Sequence, residues 1–235
     1  MIRKNQSCRA AAIIVAAGSS SRMKNNLNKL FILLDGIPIL AHTLLKFEKS
    51  ERINRIIIVT KSDSIVTVGD IVREFGISKV SEIIVGGKTR QESVMCGLKY
   101  TDDNEIILVH DGARPFVSVE KINDSISAAQ TFGAAALGVL SKDTVKVVDN
   151  NEIVSETPDR NNLRLIQTPQ VFKSEIIKHA YTKAKEDGFE GTDDCSVVEH
   201  SGIPVKIIEG EYTNIKITTE DDLFLAEAIH KNTIY

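Results

Sequence analysis

Short apolar runs alternate with amphipathic stretches along most of the chain, and this rhythm predicts βαβ units built on a parallel sheet. Ala10–Ala16, Arg55–Thr60, Glu82–Val85, Glu105–His110 and Ala134–Val139 read as buried strands. The helical pattern falls between them. Ile37–Lys49 carries Pro38 at a permitted early position and sets Ile39, Leu40, Leu44, Leu45 and Phe47 on one face. Ser62–Phe75 and Arg90–Lys99 read similarly, and Ser118 is placed to cap a helix reaching Phe132.

The rhythm changes after Leu140. Thr144–Val148 alternates, Asp149–Glu152 reads as a turn, and Ile153–Glu156 is a second short strand. Together they predict a β-hairpin arm over 142–161 that projects from the body. Leu163–Gln167, Lys173–Lys185 and Thr192–His200 return to mixed strand and helix. Val205–Glu209 and Asn214–Ile217 read as late strands. Thr219 and Asp222 have capping-box spacing at the start of a final helix. The expectation is a single domain over 1–235, an α/β fold with a doubly wound, mostly parallel sheet and a hairpin arm.

Composition narrows the function. With 235 residues, 42% apolar and 26% charged, the chain has ample material for a core. A formal net charge of −3 argues against a non-specific nucleic-acid binder. The cysteines Cys8, Cys96 and Cys195 are far apart and lack metal-ligand spacing, which suits thiols in a reducing compartment. No apolar stretch reaches membrane-span length and the N-terminus has no signal-peptide core, so a cytoplasmic location is the expectation. His110 ends an apolar run and reads as a packed residue rather than a base.

Candidate chemistry collects at predicted strand ends. The first strand runs into Ala16-Ala17-Gly18, whose small side chains let backbone N–H groups approach phosphate oxygens, and Arg22 and Lys29 follow. The same residues also suit a plain turn with solvated cations. A G-x-G-x-x-G fingerprint is absent, and Gly87-Lys88-Thr89 lacks the earlier glycine of a Walker A loop, since Glu82 occupies that position. The fourth strand ends in His110-Asp111-Gly112-Ala113-Arg114-Pro115. Asp111 there is placed to hold magnesium, or to cap a turn; Arg114 is placed to clamp a phosphate, or to lie on the surface. Asp159-Arg160, Gln167-Thr168-Pro169-Gln170, Gly191-Thr192-Asp193-Asp194 and Asn214-Ile215-Lys216 lie near further strand ends and turns, each with a bland reading of its own.

In their order and spacing these segments, with Asp143-Thr144, resemble the 2-C-methyl-D-erythritol 4-phosphate cytidylyltransferases over nearly the whole chain. The resemblance implies transfer of CMP from CTP to methylerythritol phosphate, with magnesium or another divalent cation at Asp111. It implies that Arg22 and Lys29 stabilise the transition state at the α-phosphate. Ala16, Ala17, Gly18, Gly87 and Ser93 would line the CTP site. Asp111, Arg114, Thr168, Thr192 and Lys216 would contact or position the acceptor. Thr144 and Arg160, on the arm, would reach the neighbouring site in a homodimer. Three positions depart from the family pattern: Lys88 stands in place of an acidic residue, Asn28 in place of proline, and Gly112 in place of alanine, an exchange expected to be harmless. A ribitol 5-phosphate cytidylyltransferase, an NAD(P)-dependent oxidoreductase and a silent nucleotide-binding regulator are the competing readings.

Overall fold

The computed structural model describes residues 9–18 and 28–233. The chain runs through β1 (Ala10–Val15), the small hairpin β2 (Leu33–Leu34) and β3 (Ile37–Pro38), and α1 (Ile39–Lys49). Next come β4 (Ile53–Thr60), α2 (Ile65–Glu74), β5 (Val80–Val85), α3 (Arg90–Leu98), β6 (Ile106–Asp111), α4 (Val119–Phe132) and β7 (Ala134–Leu140). The hairpin β8 (Val147–Val148) and β9 (Val154–Glu156) leads to β10 (Arg164–Lys173) and α5 (Ser174–Glu186). Last are α6 (Asp194–His200), β11 (Lys206–Glu209) and α7 (Glu220–Thr233).

Seven strands form one sheet in the order β11-β7-β10-β6-β1-β4-β5. The pairs between β6, β1, β4 and β5 are parallel, as is the β11–β7 pair, while β10 runs antiparallel to both β6 and β7. Alternation along β1 decides which core each side chain joins. Ala10, Ala12 and Ile14 pack with Leu40, Leu44 and Phe47 of α1 and Ile122 and Ile126 of α4. Ala11 and Ile13 face the other way, towards Val94 and Leu98 of α3 and Ile177, Ala180 and Tyr181 of α5. Helices therefore cover both faces, as the doubly wound expectation requires. The alanines let those helices close on the sheet, and fully buried Phe47 fills the gap on one side; truncating such a phenylalanine typically costs about 3–5 kcal/mol.

Four sequence expectations need correction. Ile37–Pro38 is a strand paired with β2, so the first helix starts at Ile39, after Pro38 in an extended conformation. β10 is longer than 163–167 and continues through a cis Thr168–Pro169 peptide, with a register shift between Ile166 and Gln170 where Pro169 has no N–H to give the ladder. Asn214–Ile217 forms no strand; it is pinned instead by the Ile217 N–H, which donates to Ala113 O at 2.9 Å. The arm hairpin is shorter than expected, its first strand starting at Val147 rather than Thr144, while Asp149 organises the turn where the sequence places it. The Asp149 carboxylate accepts from the N–H groups of Asn151 and Ile153, and Glu152 takes a positive φ of 63°. Both arm strands are exposed throughout.

Candidate active site

The carboxyl ends of the parallel strands meet at one cavity of about 470 Å³. The end of β1 supplies Ala16, Ala17 and Gly18, β4 is followed by Lys61, β5 by Gly87 and Lys88, and β6 ends in Asp111. Ligand sites of open α/β sheets lie at this edge. Lys29, Leu30, Thr89, Arg90, Ser93 and Lys216 complete much of the wall. Among the described residues, five cations, Lys29, Lys61, Lys88, Arg90 and Lys216, thus share the lining with a single carboxylate, Asp111. A larger cavity of about 620 Å³ lies elsewhere, bounded by Leu140, Asn161, Arg164 and Tyr212, and holds none of these groups.

The glycine turn after β5 is built by α3. Thr89 caps that helix in a capping box with Glu92, whose carboxylate also accepts the Lys88 N–H at 2.6 Å. Ser93 is buried; its hydroxyl donates to Thr89 O at 2.9 Å and accepts from the Gly87 N–H at 3.2 Å. A Cβ on Gly86 would meet Ser93 Oγ at 2.7 Å and Ala17 Cβ at 2.9 Å, so the two loops can touch only with glycine there. Asn28, in place of proline, accepts the Leu30 N–H and so caps the short turn carrying Lys29. Gly112 is not an idle exchange for alanine, because a Cβ would lie 3.2 Å from Val15 O and 3.3 Å from Leu40 Cδ1.

Asp111 is the electrostatic centre. Lys216 Nζ lies 3.0 Å and Arg114 Nε 3.4 Å from its Oδ2, and Arg90 Nε lies 3.5 Å from Oδ1. Burial pushes the Asp111 carboxyl up, but Lys216, Arg90 and Arg114 outweigh it and hold the group well below the usual carboxylate range. Beneath it, burial pushes the His110 imidazole down to about 4, so the ring is neutral near pH 7. Its Nε2 faces Arg114 O at 3.1 Å, and a carbonyl can only accept, so Nε2 carries the proton. Nδ1 then accepts from the Thr168 hydroxyl at 3.0 Å, and Thr168 Oγ1 accepts from the Asp111 N–H at 3.1 Å. The expectation of a packed His110 agrees with this placement.

The remaining predicted residues divide. Ala16, Ala17, Gly18, Lys29, Gly87, Ser93, Asp111 and Lys216 are brought together on the cavity wall. Arg22 lies outside the described residues. Thr168 is buried with its hydroxyl committed to the network under Asp111 rather than presented to the cavity. Arg114 turns its guanidinium to Asp111 and to Asn214 O, 2.8 Å from Nη1. Thr144, Arg160 and Thr192 are not on this wall. Sequence reasoning missed Lys61 and Arg90. Arg90 had a signal, since a basic residue in the first turn of a helix opposes the macrodipole and needs a reason to be there.

A mostly parallel sheet with a cationic cavity at its carboxyl edge, around a carboxylate and a small-residue loop, is the arrangement expected of an α/β nucleotidyltransferase. Residues 10–232 match the sequence profile of the family described as 2-C-methyl-D-erythritol 4-phosphate cytidylyltransferase. Proteins of that name from Clostridium novyi and Geobacillus kaustophilus are 46% and 45% identical to the chain. The first alignment covers 94% of this chain and 96% of that protein, the second 93% and 95%. The crystal structure of the 4-diphosphocytidyl-2C-methyl-D-erythritol synthase from Anaerococcus prevotii superposes with a TM-score of 0.87 at 35% identity, covering 96% of this chain and 97% of that one. That of the Thermus thermophilus cytidylyltransferase gives 0.76 at 30% identity, covering 94% and 98%. The chain belongs to the 2-C-methyl-D-erythritol 4-phosphate cytidylyltransferase family.

Proposed function

We propose that the protein transfers CMP from CTP to 2-C-methyl-D-erythritol 4-phosphate, giving 4-diphosphocytidyl-2-C-methyl-D-erythritol and pyrophosphate in isoprenoid precursor synthesis. The ribitol phosphate and oxidoreductase readings are not favoured. The observation that carries the chemistry is the gathering, among the described residues, of five cations and one carboxylate on a single cavity wall. An acceptor phosphate oxygen attacks the α-phosphorus of CTP in line. The bond from that phosphorus to the bridging oxygen breaks, and pyrophosphate leaves with the electron pair. A phosphate monoester is largely ionised near pH 7, with a second pKa of about 6. No base is therefore required, in keeping with a neutral, fully buried His110.

The residues act by positioning and charge. Ala16–Gly18 and Gly86–Gly87 bring backbone close to the nucleotide, with Ser93 holding the second loop in shape. Lys29, with Arg22, meets the charge that grows at the α-phosphate. Lys216, fixed beside Asp111, orients the acceptor phosphate. Asp111 suits a divalent ion that takes most of its ligands from substrate and water, because its Oδ1 has only the long Arg90 contact and the described residues hold no group of three metal-ligating side chains. Magnesium bound there would neutralise charge on the leaving pyrophosphate.

The arm is proposed to make a homodimer. Its strands are exposed, with Val147, Val148, Ile153 and Val154 all open to solvent, and an isolated hairpin is marginal alone. Thr144 and Arg160 would serve the partner's site. A cytoplasmic location is proposed as well; no described helix is long and apolar enough to cross a membrane. The function is tested by measuring pyrophosphate release over four NTPs and several polyol phosphates. Highest turnover is expected with CTP and methylerythritol 4-phosphate, and equal turnover of ribitol 5-phosphate would overturn the substrate assignment.

A further inference from the structure

Behind the cavity wall, Arg90 joins two carboxylates from distant parts of the chain. Its Nη1 and Nη2 donate to Asp194 Oδ1 and Oδ2 at 2.9 and 2.6 Å, a two-pronged clamp. Its Nε edge faces Asp111 Oδ1 at 3.5 Å, an ion pair rather than a tight hydrogen bond. Asp194 is fully buried. The Tyr181 hydroxyl donates to its Oδ1 at 2.5 Å, and Gln170 Oε1 accepts from the N–H groups of Asp194 and Cys195. Gln170 Nε2 also donates to Asp193, the cap of α6. Arg90 is thereby fixed to α5, α6 and β10 at once, while one side of it lines the cavity.

We infer that Arg90 is a positioning residue for the transfer reaction, held by Asp194 and Tyr181 so that its free edge keeps Asp111 in place. Two features make this more than an internal salt bridge. Asp111 Oδ2 is already served by Lys216 and Arg114, so Arg90 is the partner that restrains the other oxygen. A half-buried arginine is also already paired once Asp194 has taken one N–H from each terminal nitrogen, yet the chain presents Asp111 to the Nε edge as well. Lysine cannot replace this geometry, because a single ammonium does not span two carboxylates in fixed directions.

The inference rests on the cytidylyl-transfer reading, and the test separates the two. Pyrophosphate release is measured for the wild type, Arg90→Lys, Tyr181→Phe, Asp111→Asn and the Arg90→Lys/Asp111→Asn pair, with CTP affinity measured separately by calorimetry. A wild type inactive with CTP and methylerythritol phosphate sinks the function and leaves the arginine question to another substrate. With an active wild type, Arg90→Lys should keep CTP affinity within about threefold and lose kcat by roughly ten- to a hundredfold, the scale of a misplaced catalytic group. In the Asp111→Asn background the same change should cost little more, because both act through one carboxylate. Tyr181→Phe, which loosens the clamp without altering any charge, should lower kcat several-fold in protein that is still fully folded at the assay temperature, with some loss of melting temperature from the buried Asp194 carboxylate that loses a donor. Near-normal kcat in Arg90→Lys, or an undiminished further loss in the Asp111→Asn background, overturns the inference. If Arg90→Lys does not fold, Tyr181→Phe decides, and an unchanged kcat there overturns it too.

Discussion

Thr168 Oγ1 accepts the backbone N–H of Asp111 at 3.1 Å, so the residue at the centre of the cavity is fixed from below by a strand that runs against its own. The hydroxyl proton is directed to His110 Nδ1, and the His110 Nε2 proton to Arg114 O. One chain of donors and acceptors therefore sets the direction of Asp111 and of the turn after it, with no polar atom in it left over.

This chain predicts the cost of removing one hydroxyl. Thr168→Val keeps the shape but strands the Asp111 N–H and His110 Nδ1 in a buried place, at about 1–3 kcal/mol for each unsatisfied group. Thr168→Ser should retain most of the stability. Urea unfolding of the three proteins checks this, and a valine variant as stable as wild type would remove the network from the account.

Lys216 lies 3.0 Å from Asp111, and its side chain is 38% exposed. Loss of the amine should hurt the reaction far more than the fold. Lys216→Met is expected to lower kcat by about 10²–10³, the usual cost of one charge-stabilising donor, with a melting temperature close to wild type. Lys29→Ala should behave the same way. Circular dichroism melts and pyrophosphate release, read on the same preparations, distinguish the two effects.

Much of this was legible in the sequence. β1, β4, β6 and β7 announce themselves as apolar runs because both faces of each are covered, and Ala16–Gly18, Asp111 and Lys216 fall where strand ends put ligands. What stayed hidden depends on contacts far apart in the chain. The antiparallel course of β10 follows from its pairing with β6 and β7, which no local pattern encodes. Asn214–Ile217 has strand-like composition, but its backbone bonds run to nearby residues and to Ala113, in a turn, rather than to a neighbouring strand. Arg90 and Asp194 are 104 positions apart and become a pair only after α3 and α6 have packed. At Thr219 the spacing was right and the chemistry partly reversed. Asp222 accepts the Thr219 N–H as a capping box requires, yet the threonine hydroxyl donates to the same carboxylate.

That carboxylate gives a pH dependence. Asp222 Oδ2 accepts from the N–H and hydroxyl groups of Thr218 and Thr219 at 2.7–3.0 Å. Partial burial pushes its pKa up, but these four hydrogen bonds outweigh that and leave it lowered. A depressed folded-state pKa means the stabilisation is fully present above the unfolded value, about 4, and is lost as pH falls through the lower folded value. Asp222→Asn should therefore cost about 1 kcal/mol at pH 7, on the scale of a lost helix cap. The gap between variant and wild type should narrow below pH 4. Denaturation at pH 7 and pH 3 checks the sign; a gap that widens in acid contradicts the assignment.

The arm offers the last prediction, because it joins assembly to chemistry. Arg160 begins a short turn capped by Asp159, just beyond the exposed hairpin, and is not on its own cavity wall. On the proposed reading it completes the site of a partner related by a two-fold axis, where its planar fork would hold the acceptor phosphate in one orientation. Lys29→Ala and Arg160→Ala should then each be inactive as homodimers. Mixed under conditions that allow subunit exchange, they form hybrids in which one site carries both defects and the other carries neither. Random exchange of equal amounts makes about half of the dimers hybrid, so roughly a quarter of wild-type activity should return by symmetry counting. An arginine serving its own subunit leaves every site in the mixture with one defect, and no activity returns. Native mass spectrometry establishes whether hybrids formed; hybrids without recovered turnover would place Arg160 in its own subunit's chemistry or in none.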